Sequence, residues 1–260
     1  GDTNSTLSAA LCAAKIGVPV AHVEAGLRCF SSSMPEEINR VITDHLSRIL
    51  FCPTQTSLKN LENEGLHLKG ARIELVGDVM KDCVLKFSTL ARMPRGLKKR
   101  TNYILATLHR AENTDNEENL TSIVRALNEI HENINEVIMP IHPRMKAQVN
   151  RFGLSLKVTE IKPVGYFESL ALQKRSLVVL TDSGGVQKES YFMQRPTLIL
   201  RERTEWTELL DVGASVLVGA NVDKIKSEVF SALDKKISPS DELFGNGNSS
   251  SLICKVLQDT

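Results

Sequence analysis

The chain has 260 residues, 42% of them hydrophobic, and its 32 Lys and Arg residues almost balance its 31 Asp and Glu residues, for a formal net charge of +1. This length allows one or two domains with a large buried core. The charge balance argues against proteins that bind nucleic acid or a membrane surface, because those carry a basic excess on at least one domain.

The cysteines and histidines indicate the cellular setting of the protein and argue against a metal site. Five cysteines are scattered without a Cys-x-x-Cys pair, which fits a reduced, intracellular setting in which they act as small apolar core residues. The histidines are too scattered for a metal motif, no apolar run reaches the length of a membrane span, and no signal peptide is visible. We expect a cytoplasmic protein with no metal site and neither nucleic acid nor membrane as a partner.

Residues 1–92 alternate between helix and strand signals. The run Gly1-Asp2-Thr3-Asn4-Ser5 is typical of a helix N-cap, and short apolar runs at 19–23, 49–52 and 73–76 predict strands. A further helix begins at Met34-Pro35-Glu36-Glu37, where Pro and acidic residues suit a first turn. Its apolar stripe consists of Ile38, Val41, Ile42 and Leu46, with Asp44 and His45 off that stripe.

A basic run with Pro and Gly at residues 93–100 predicts a solvated linker and a domain boundary. Beyond it, strand signals alternate with helix signals up to about residue 233. Such regular alternation predicts a parallel, doubly wound sheet. After residue 240 come a polar glycine loop and a final amphipathic helix.

Polar residues follow several of these predicted strands. His109, His142, Ser183 and Arg201 all lie just after the ends of apolar runs. Because ligands of parallel α/β sheets bind outside the carboxyl ends of the strands, this co-location predicts a binding site there.

The stretch 177–189 stands out within this half. An apolar run, Leu177-Val178-Val179-Leu180, leads into Thr181-Asp182-Ser183-Gly184-Gly185 and then into a helix-forming segment. Paired glycines let a ligand approach the backbone, and a helix N-terminus attracts an anion such as a diphosphate. From spacing alone, an ordinary strand-to-helix turn capped by Asp182 or Ser183 is an equal alternative.

Acidic residues offer candidate chemistry in the first half. Asp2, Glu24 and Glu36 lie at a predicted cap, a strand end and a helix first turn, where each is explained by local structure alone. Together with His109 they form a candidate general acid–base set. No Gly-x-Ser-x-Gly elbow, P-loop or Gly-x-Gly-x-x-Gly fingerprint is present, which argues against hydrolase, kinase and dinucleotide-binding functions.

Several longer motifs resemble, in family order, those of the non-hydrolysing UDP-N-acetylglucosamine 2-epimerases. They are Gly1-Asp2-Thr3, His22-Val23-Glu24-Ala25-Gly26-Leu27-Arg28, Pro35-Glu36-Glu37-Ile38-Asn39-Arg40, Leu108-His109-Arg110-Ala111-Glu112-Asn113, Pro140-Ile141-His142-Pro143-Arg144 and Thr181-Asp182-Ser183-Gly184-Gly185-Val186-Gln187. The resemblance continues through Arg201, Thr204-Glu205 and Gly213-Ala214.

The resemblance implies an α/β fold with two Rossmann-like doubly wound domains in a glycosyltransferase-B arrangement, the first one incomplete. It implies a partial N-terminal domain at 1–92, a C-terminal UDP-binding domain at 101–240, and a loop and helix at 241–260 that pack back on the first domain. The activity implied is interconversion of UDP-N-acetylglucosamine and UDP-N-acetylmannosamine without an added cofactor. UDP would leave through a 2-acetamidoglucal intermediate and then add back. The partner implied is the UDP-sugar, and the assembly implied is a homodimer.

The resemblance also implies a role for individual residues at positions that match the family motifs. The resemblance implies that Asp2, Glu24 and Glu36 form the acid–base group and that His109 stabilises the leaving diphosphate. Ser183, Gly184 and Gly185 would hold the diphosphate, Glu189 the ribose hydroxyls, and the backbone of Val164 the uracil. Arg40, His142 and Arg201 would complete the substrate-binding residues, with no metal.

The chain also departs from the family pattern. The family usually opens with a strand and a Gly-Thr-Arg-Pro-Glu loop, which precede the point at which this sequence starts, so we expect the first domain to lack that segment. Lys188 stands where an acid is common, Trp206 where an Arg often follows Thr-Glu, and Ser169 where an aromatic is frequent.

Three alternatives stay open. One is epimerisation of a modified UDP-sugar such as a UDP-diacetamido uronic acid, whose subgroup Gly1-Asp2-Thr3-Asn4-Ser5 and Arg28-Cys29-Phe30 also resemble. Another is a UDP-binding fragment without turnover, which would bind UDP through residues 183–189. A glycosyltransferase is the third and the weaker one.

Overall fold

The computed structural model describes residues 1–31 and 34–259, which form two compact units. Unit 1 comprises Gly1–Leu85 and the segment from Ser240 onwards, and unit 2 comprises Lys86–Pro239. None of the helices in these described ranges is long and apolar enough to cross a membrane.

The elements follow one another along the chain in an alternating order. The helices are α1 (Asn4–Lys15), α2 (Pro35–Leu46), α3 (Gln55–Asn63), α4 (Val79–Phe87), α5 (Ala111–Thr114), α6 (Glu117–Asn133), α7 (Pro143–Arg151), α8 (Tyr166–Arg175), α9 (Gly184–Phe192), α10 (Thr207–Asp211), α11 (Val222–Ala232), α12 (Asp241–Phe244) and α13 (Ser249–Gln258), with short 3-10 turns at His67–Lys69 and Ser88–Leu90. The strands are β1 (Ala21–Val23), β2 (Ile49–Cys52), β3 (Arg72–Leu75), β4 (Tyr103–Thr107), β5 (Val137–Pro140), β6 (Thr159–Ile161), β7 (Ser176–Thr181), β8 (Thr197–Ile199) and β9 (Ser215–Leu217).

Unit 1 contains a three-stranded parallel sheet in the order β1-β2-β3. Its central strand reads as an unbroken apolar run because both of its faces are covered. Leu50 packs with Leu61 of α3 on one face, whereas Phe51 packs with Ile253 of α13 on the other. The last helix of the chain therefore shares a hydrophobic core with this sheet.

Helix α2 buries a face other than its apolar stripe. Ile38 and Ile42 are 47% and 38% exposed, whereas Arg40, Thr43 and Asp44 are each 1% exposed or less. Burial of a charged side chain is favourable only when partners satisfy it, so the position of this helix depends on polar contacts that the apolar pattern does not reveal.

Unit 2 contains a six-stranded sheet in the order β6-β5-β4-β7-β8-β9, and every neighbouring pair is parallel. Successive side chains of β4 point to opposite faces. Ile104 lies in a cluster with Leu120 of α6, and Leu105 lies in a second cluster with Leu172 of α8. Helices thus cover both faces, which confirms the predicted α/β class with a doubly wound parallel sheet. The strand order reverses between β4 and β7, which is where such sheets bind ligands.

Candidate active site

The carboxyl ends of β4 and β7 meet at the point where the strand order of unit 2 reverses. Thr107 and Thr181 face each other across this pair, with their hydroxyl oxygens 2.7 Å apart. His109 follows β4 and Ser183 follows β7, while His142 follows β5 and Arg201 follows β8. The structure therefore places these predicted site residues along one edge of four neighbouring strands.

Asp182 organises this edge. It is fully buried and accepts hydrogen bonds from the backbone N–H groups of His109 and Arg110, at 3.1 and 2.9 Å, and from the side-chain amide of Asn113. Nδ1 of His109 lies 3.0 Å from its Oδ1. Burial alone would raise the pKa of Asp182, but the hydrogen bonds and charge of His109 and the two backbone donors hold that pKa below its usual value.

Helix α9 begins directly after Asp182 with its N-terminus at the same edge. The Ser183 hydroxyl caps the helix by accepting from the N–H of Val186 at 3.4 Å. The first N–H groups of a helix have no partner inside it, and together with the helix dipole they suit an anion. The chain therefore presents the N–H groups of Gly184 and Gly185 at the predicted ligand edge.

Any side chain at Gly184 would have to displace its neighbours. A Cβ added there would clash with the carboxylate of Glu205 and would lie 3.5 Å from the indole nitrogen of Trp206. Glu205 is itself held in place, because its Oε2 accepts from Nη1 of Arg201 at 3.0 Å. Arg201 is 6% exposed and also pairs with Glu112 at 3.1 Å.

Lys188 and Trp206, two residues that differ from the family pattern, contact each other in this region. Lys188 is 1% exposed, and its ammonium lies 3.9 Å from the centroid of the Trp206 ring. A cation over an indole face is attracted by the ring quadrupole. Lys188 of α9 and Trp206, next to Glu205, therefore tie the helix to the loop that follows β8.

Glu189 is a buried carboxylate, 8% exposed. Its Oε2 accepts from the side-chain amide of Gln173 at 2.8 Å, and the carbonyl of that amide accepts from the Ser190 hydroxyl at 3.0 Å. Burial raises the pKa of Glu189 in spite of the Gln173 hydrogen bond and the charge of Lys188. A carboxylate that carries this desolvation penalty is suited to accept hydrogen bonds from an incoming hydroxyl.

The remaining two predicted residues of unit 2 lie on the flanking elements. Val164 precedes α8 and packs against the cluster that contains Leu105 and Val179. His142 is exposed at the N-cap of α7, where Nδ1 accepts from the N–H of Arg144 at 3.3 Å.

In unit 1, the structure brings Asp2 and Arg40 into direct contact. Oδ2 of Asp2 accepts from Nη2 of Arg40 at 2.8 Å and from its Nε at 3.2 Å. The guanidinium also donates to Glu37 at 3.0 Å, and Asn39 donates to the backbone carbonyl of Asp2 at 2.8 Å. The polar face of α2 thereby holds the segment that precedes α1.

Glu24 lies at the carboxyl end of β1 in a left-handed conformation, with φ of 71°. This backbone is uncommon for a residue other than glycine and needs surrounding contacts to persist. Gly1, next to Asp2, lies beside the same strand end, with its nitrogen 2.7 Å from the carbonyl of Val23. Glu36 lies four residues before Arg40 on α2 and so on the same helix face. The candidate acids Asp2, Glu24 and Glu36 thus come from three segments that meet at one end of unit 1.

Sequence reasoning missed several residues that support these candidates, chiefly Asp44, Gln173 and Glu205. For Asp44 a signal was present, because Glu37, Arg40 and Asp44 recur at the spacing of one helix face. Gln173 and Glu205 carry no such pattern, since their contacts join segments distant along the chain.

The chain is similar to known proteins over almost its whole length. The profile of a protein family described as "UDP-N-acetylglucosamine 2-epimerase" matches residues 1–258. A UDP-2,3-diacetamido-2,3-dideoxy-D-glucuronate 2-epimerase of Pseudomonas aeruginosa is 53% identical over 99% of this chain and 73% of the relative. A UDP-N-acetylglucosamine 2-epimerase homolog of Methanococcus maripaludis is 45% identical over 100% of this chain and 74% of the relative.

A solved structure is similar over the same span. The crystal structure of the Methanocaldococcus jannaschii UDP-GlcNAc 2-epimerase in complex with UDP-GlcNAc and UDP superimposes with a TM-score of 0.92 at 43% identity, covering 100% of this chain and 74% of that one.

Proposed function

The chain belongs to the UDP-N-acetylglucosamine 2-epimerase family, and we propose that it inverts C2 of a UDP-linked 2-acetamido sugar, interconverting UDP-GlcNAc and UDP-ManNAc. The observation that carries the proposal is the glycine-paired N-terminus of α9 beside His109, which the buried Asp182 holds, at the reversal point of a parallel sheet. Among the relatives, the 45% identical protein is a homolog of UDP-N-acetylglucosamine 2-epimerases.

We assign nucleotide binding to unit 2. Ser183, Gly184 and Gly185 present N–H groups to the diphosphate, and His109, held by Asp182, donates to the oxygen on which negative charge develops. Glu189 accepts from the ribose hydroxyls, and the backbone of Val164 contacts the uracil. Arg201 and His142 supply further polar groups along the same edge.

The chemistry requires that UDP leave before C2 changes its configuration. A C2 proton with no neighbouring carbonyl is a very weak acid. Breaking the C1–O bond, with the electron pair leaving on UDP, gives the ring oxocarbenium character and makes that proton acidic. A base then removes the proton to give a 2-acetamidoglucal. UDP adds back to C1 while an acid returns a proton to the opposite face of C2, so no oxidant or cofactor is consumed.

We assign the proton transfers to Asp2, Glu24 and Glu36, because general acid–base chemistry needs carboxyl groups held in fixed positions. Asp2 is fixed by Arg40 at 2.8 Å, and Glu24 by its constrained backbone. Holding the intermediate and free UDP together also requires tight nucleotide binding, which shortens the path for re-addition.

A second substrate is favoured by one specific observation. The relative that is 53% identical is an epimerase of UDP-2,3-diacetamido-2,3-dideoxy-D-glucuronate. The same elimination and re-addition would serve that sugar, whose carboxylate needs an additional cationic contact.

The test is to incubate the 260-residue chain with each UDP-sugar separately in D₂O and to follow the sugar by NMR. Conversion with deuterium at C2 is expected for the true substrate, and the ratio of kcat/KM for the two sugars assigns it. If both UDP-sugars bind but neither is converted, the chain binds UDP without epimerase activity and the proposal fails.

Neighbouring residues provide a matched control. Glu36→Gln and Glu24→Gln should each abolish most turnover while UDP affinity is kept. Glu37→Gln should mainly lower stability, because Glu37 accepts from the N–H groups of Cys29 and Phe30 and from Arg40. Normal turnover in Glu36→Gln would remove Glu36 from the acid–base group.

The proposal includes a homodimer in the cytoplasm, and the free thiols at all five cysteines suit a reducing compartment. Light scattering coupled to size-exclusion chromatography measures the assembly, and a monomeric mass would contradict this part.

A further inference from the structure

We propose that Asp44 is a positioning residue for the C2 chemistry, acting as an anionic hub that fixes the segments carrying Asp2 and Glu24. This inference rests on the proposed epimerase function and adds to it a residue that touches none of the reacting atoms.

Asp44 lies in the last turn of α2 and is fully buried. Its Oδ1 lies 2.6 Å from Nδ1 of His22. Its Oδ2 accepts from Nη1 of Arg28 at 2.8 Å and from the backbone N–H of Gly26 at 3.1 Å. A carboxylate in the last turn of a helix is disfavoured by the helix dipole, so its burial depends on these three donors.

The first arm of the hub reaches the Asp2 segment. His22 lies in β1 and is 3% exposed, and its Nε2 is 2.8 Å from the backbone carbonyl of Gly1. His22 thereby links Asp44 to Gly1, the residue before Asp2. Arg40, which lies on α2 with Asp44, donates a hydrogen bond to the Asp2 carboxylate.

The second arm reaches the turn that carries Glu24. Both Glu24 and Gly26 have left-handed backbones, with φ of 71° and 79°. Gly26 is further confined because a Cβ there would clash with the backbone carbonyl of Ser57. The hydrogen bond from the Gly26 N–H to buried Asp44 stabilises this constrained turn. A constrained backbone persists only when its surroundings fix it.

The third arm closes the turn from its far end. Arg28 is 4% exposed and, besides Asp44, donates from Nε and Nη2 to the two oxygens of Glu64 at 2.7 and 2.8 Å. Its bidentate geometry leaves Nη1 directed at Asp44. The turn 24–28 is thus fixed at Gly26 and at Arg28 by one carboxylate.

An uncharged side chain cannot fill this role. Asparagine has one oxygen, and its NH₂ group would face either His22 Nδ1 or the two donors on the Oδ2 side. Replacing Asp44 by Asn should therefore let the turn relax and move Glu24 away from its position, and a displacement of about 1 Å can reduce a catalysed rate about 100-fold.

The experiment compares Asp44→Asn, His22→Asn and the double variant with the unaltered chain, using C2 deuterium incorporation in D₂O. We expect kcat to fall about 100-fold for Asp44→Asn with KM and UDP affinity changed less than about two-fold. The double variant should lose little more than Asp44→Asn alone, since both substitutions break the same arm.

Asp82→Asn is the matched control. Asp82 also accepts from backbone N–H groups in unit 1, those of Ser249 and Ser250, but it anchors the last helix instead of a candidate acid. It should lower the melting temperature while kcat stays unchanged. If Asp44→Asn does not fold, His22→Asn alone tests the proposal. Its kcat should fall while its KM stays nearly unchanged.

The outcomes are distinguishable. A chain that binds UDP and converts neither UDP-sugar overturns the proposed function. Turnover in the unaltered chain together with unchanged kcat in Asp44→Asn or in His22→Asn overturns the hub. Equal losses of kcat in Asp82→Asn and Asp44→Asn would assign the effect to stability and also overturn it.

Discussion

Nδ1 of His109 lies 3.0 Å from Oδ1 of Asp182, and this contact joins the segments that follow two neighbouring strands, β4 and β7. Because Asp182 also accepts the backbone N–H of His109, both the ring and the main chain of the histidine are fixed by one carboxylate. The pair fixes His109 before any ligand arrives, which is what electrostatic stabilisation of a leaving group requires.

Substitution of Asp182 by Asn should destabilise the fold and weaken UDP binding. We expect a loss of about 3 kcal/mol in the free energy of unfolding at pH 7, because some of the buried donors that now bind the carboxylate would have no acceptor. The lowered pKa of Asp182 means that its stabilisation is present above the ordinary aspartate pKa and is lost as the pH falls through the folded-state value. Urea titrations at several pH values measure this, with exposed Asp115→Asn as a control that should change little. A gap between Asp182→Asn and the unaltered chain that widens on acidification would contradict the assignment.

Glu189→Gln should make unit 2 more stable at neutral pH while weakening nucleotide binding. Burial raises the pKa of Glu189, so the folded state holds its proton more tightly and stability falls as the pH rises above the ordinary glutamate value. Glutamine keeps an oxygen for Gln173 and removes the desolvated charge. Thermal melts at acidic and neutral pH measure this. The melting temperature of Glu189→Gln should exceed that of the unaltered chain by a margin that grows with pH.

The binding part of this prediction has its own measurement. The unaltered chain should prefer UDP to 2′-deoxy-UDP, and Glu189→Gln should reduce that preference, because a neutral amide accepts more weakly from the ribose hydroxyls. An unchanged preference would remove Glu189 from ribose recognition.

Gly184→Ala should abolish most UDP affinity. The new methyl group meets the carboxylate of Glu205, which cannot swing away without breaking its bond to Arg201. The chain has one tryptophan, and Trp206 lies beside this glycine, so its fluorescence should report UDP binding directly.

Gly153→Ala serves as the control for backbone strain. Gly153 has φ of +64° and open space around it, so alanine should cost about 1 kcal/mol of stability without affecting UDP affinity. Equal losses of affinity in both variants would show that Gly184 acts only through folding.

Thiol labelling should divide the five cysteines into two classes. Cys12, Cys83 and Cys254 are exposed and should react promptly, whereas Cys29 and Cys52 are buried. Burial raises the pKa of Cys52 to about 12 and also raises that of Cys29, so neither forms the reactive thiolate at neutral pH. Mass spectrometry after brief labelling should locate adducts at the exposed three, and early modification of Cys52 would contradict its burial.

The sheet of unit 2 was predictable because its signals are local. Leu177 to Leu180 is apolar throughout, as strands covered on both faces are, and Ser183-Gly184-Gly185 marks the turn by its chemistry alone. Helix α2 was predictable as a helix from Pro35 and its acidic first turn, but the face it buries was not. Ile38 and Ile42 indicate one face, and the structure buries Arg40, Thr43 and Asp44 instead.

The sequence by itself determined that the chain is α/β, that the ends of its strands carry His109, His142, Ser183 and Arg201, and that its motifs belong to one family. These properties follow from side-chain period, turn chemistry and residue order, all of which are local along the chain. The tertiary structure alone decided which polar groups meet, such as Asp44 with His22 at 2.6 Å and Gln173 with Glu189 at 2.8 Å. A buried charge is stable only beside partners contributed by distant segments, and the pairing of those segments is a property of the whole fold.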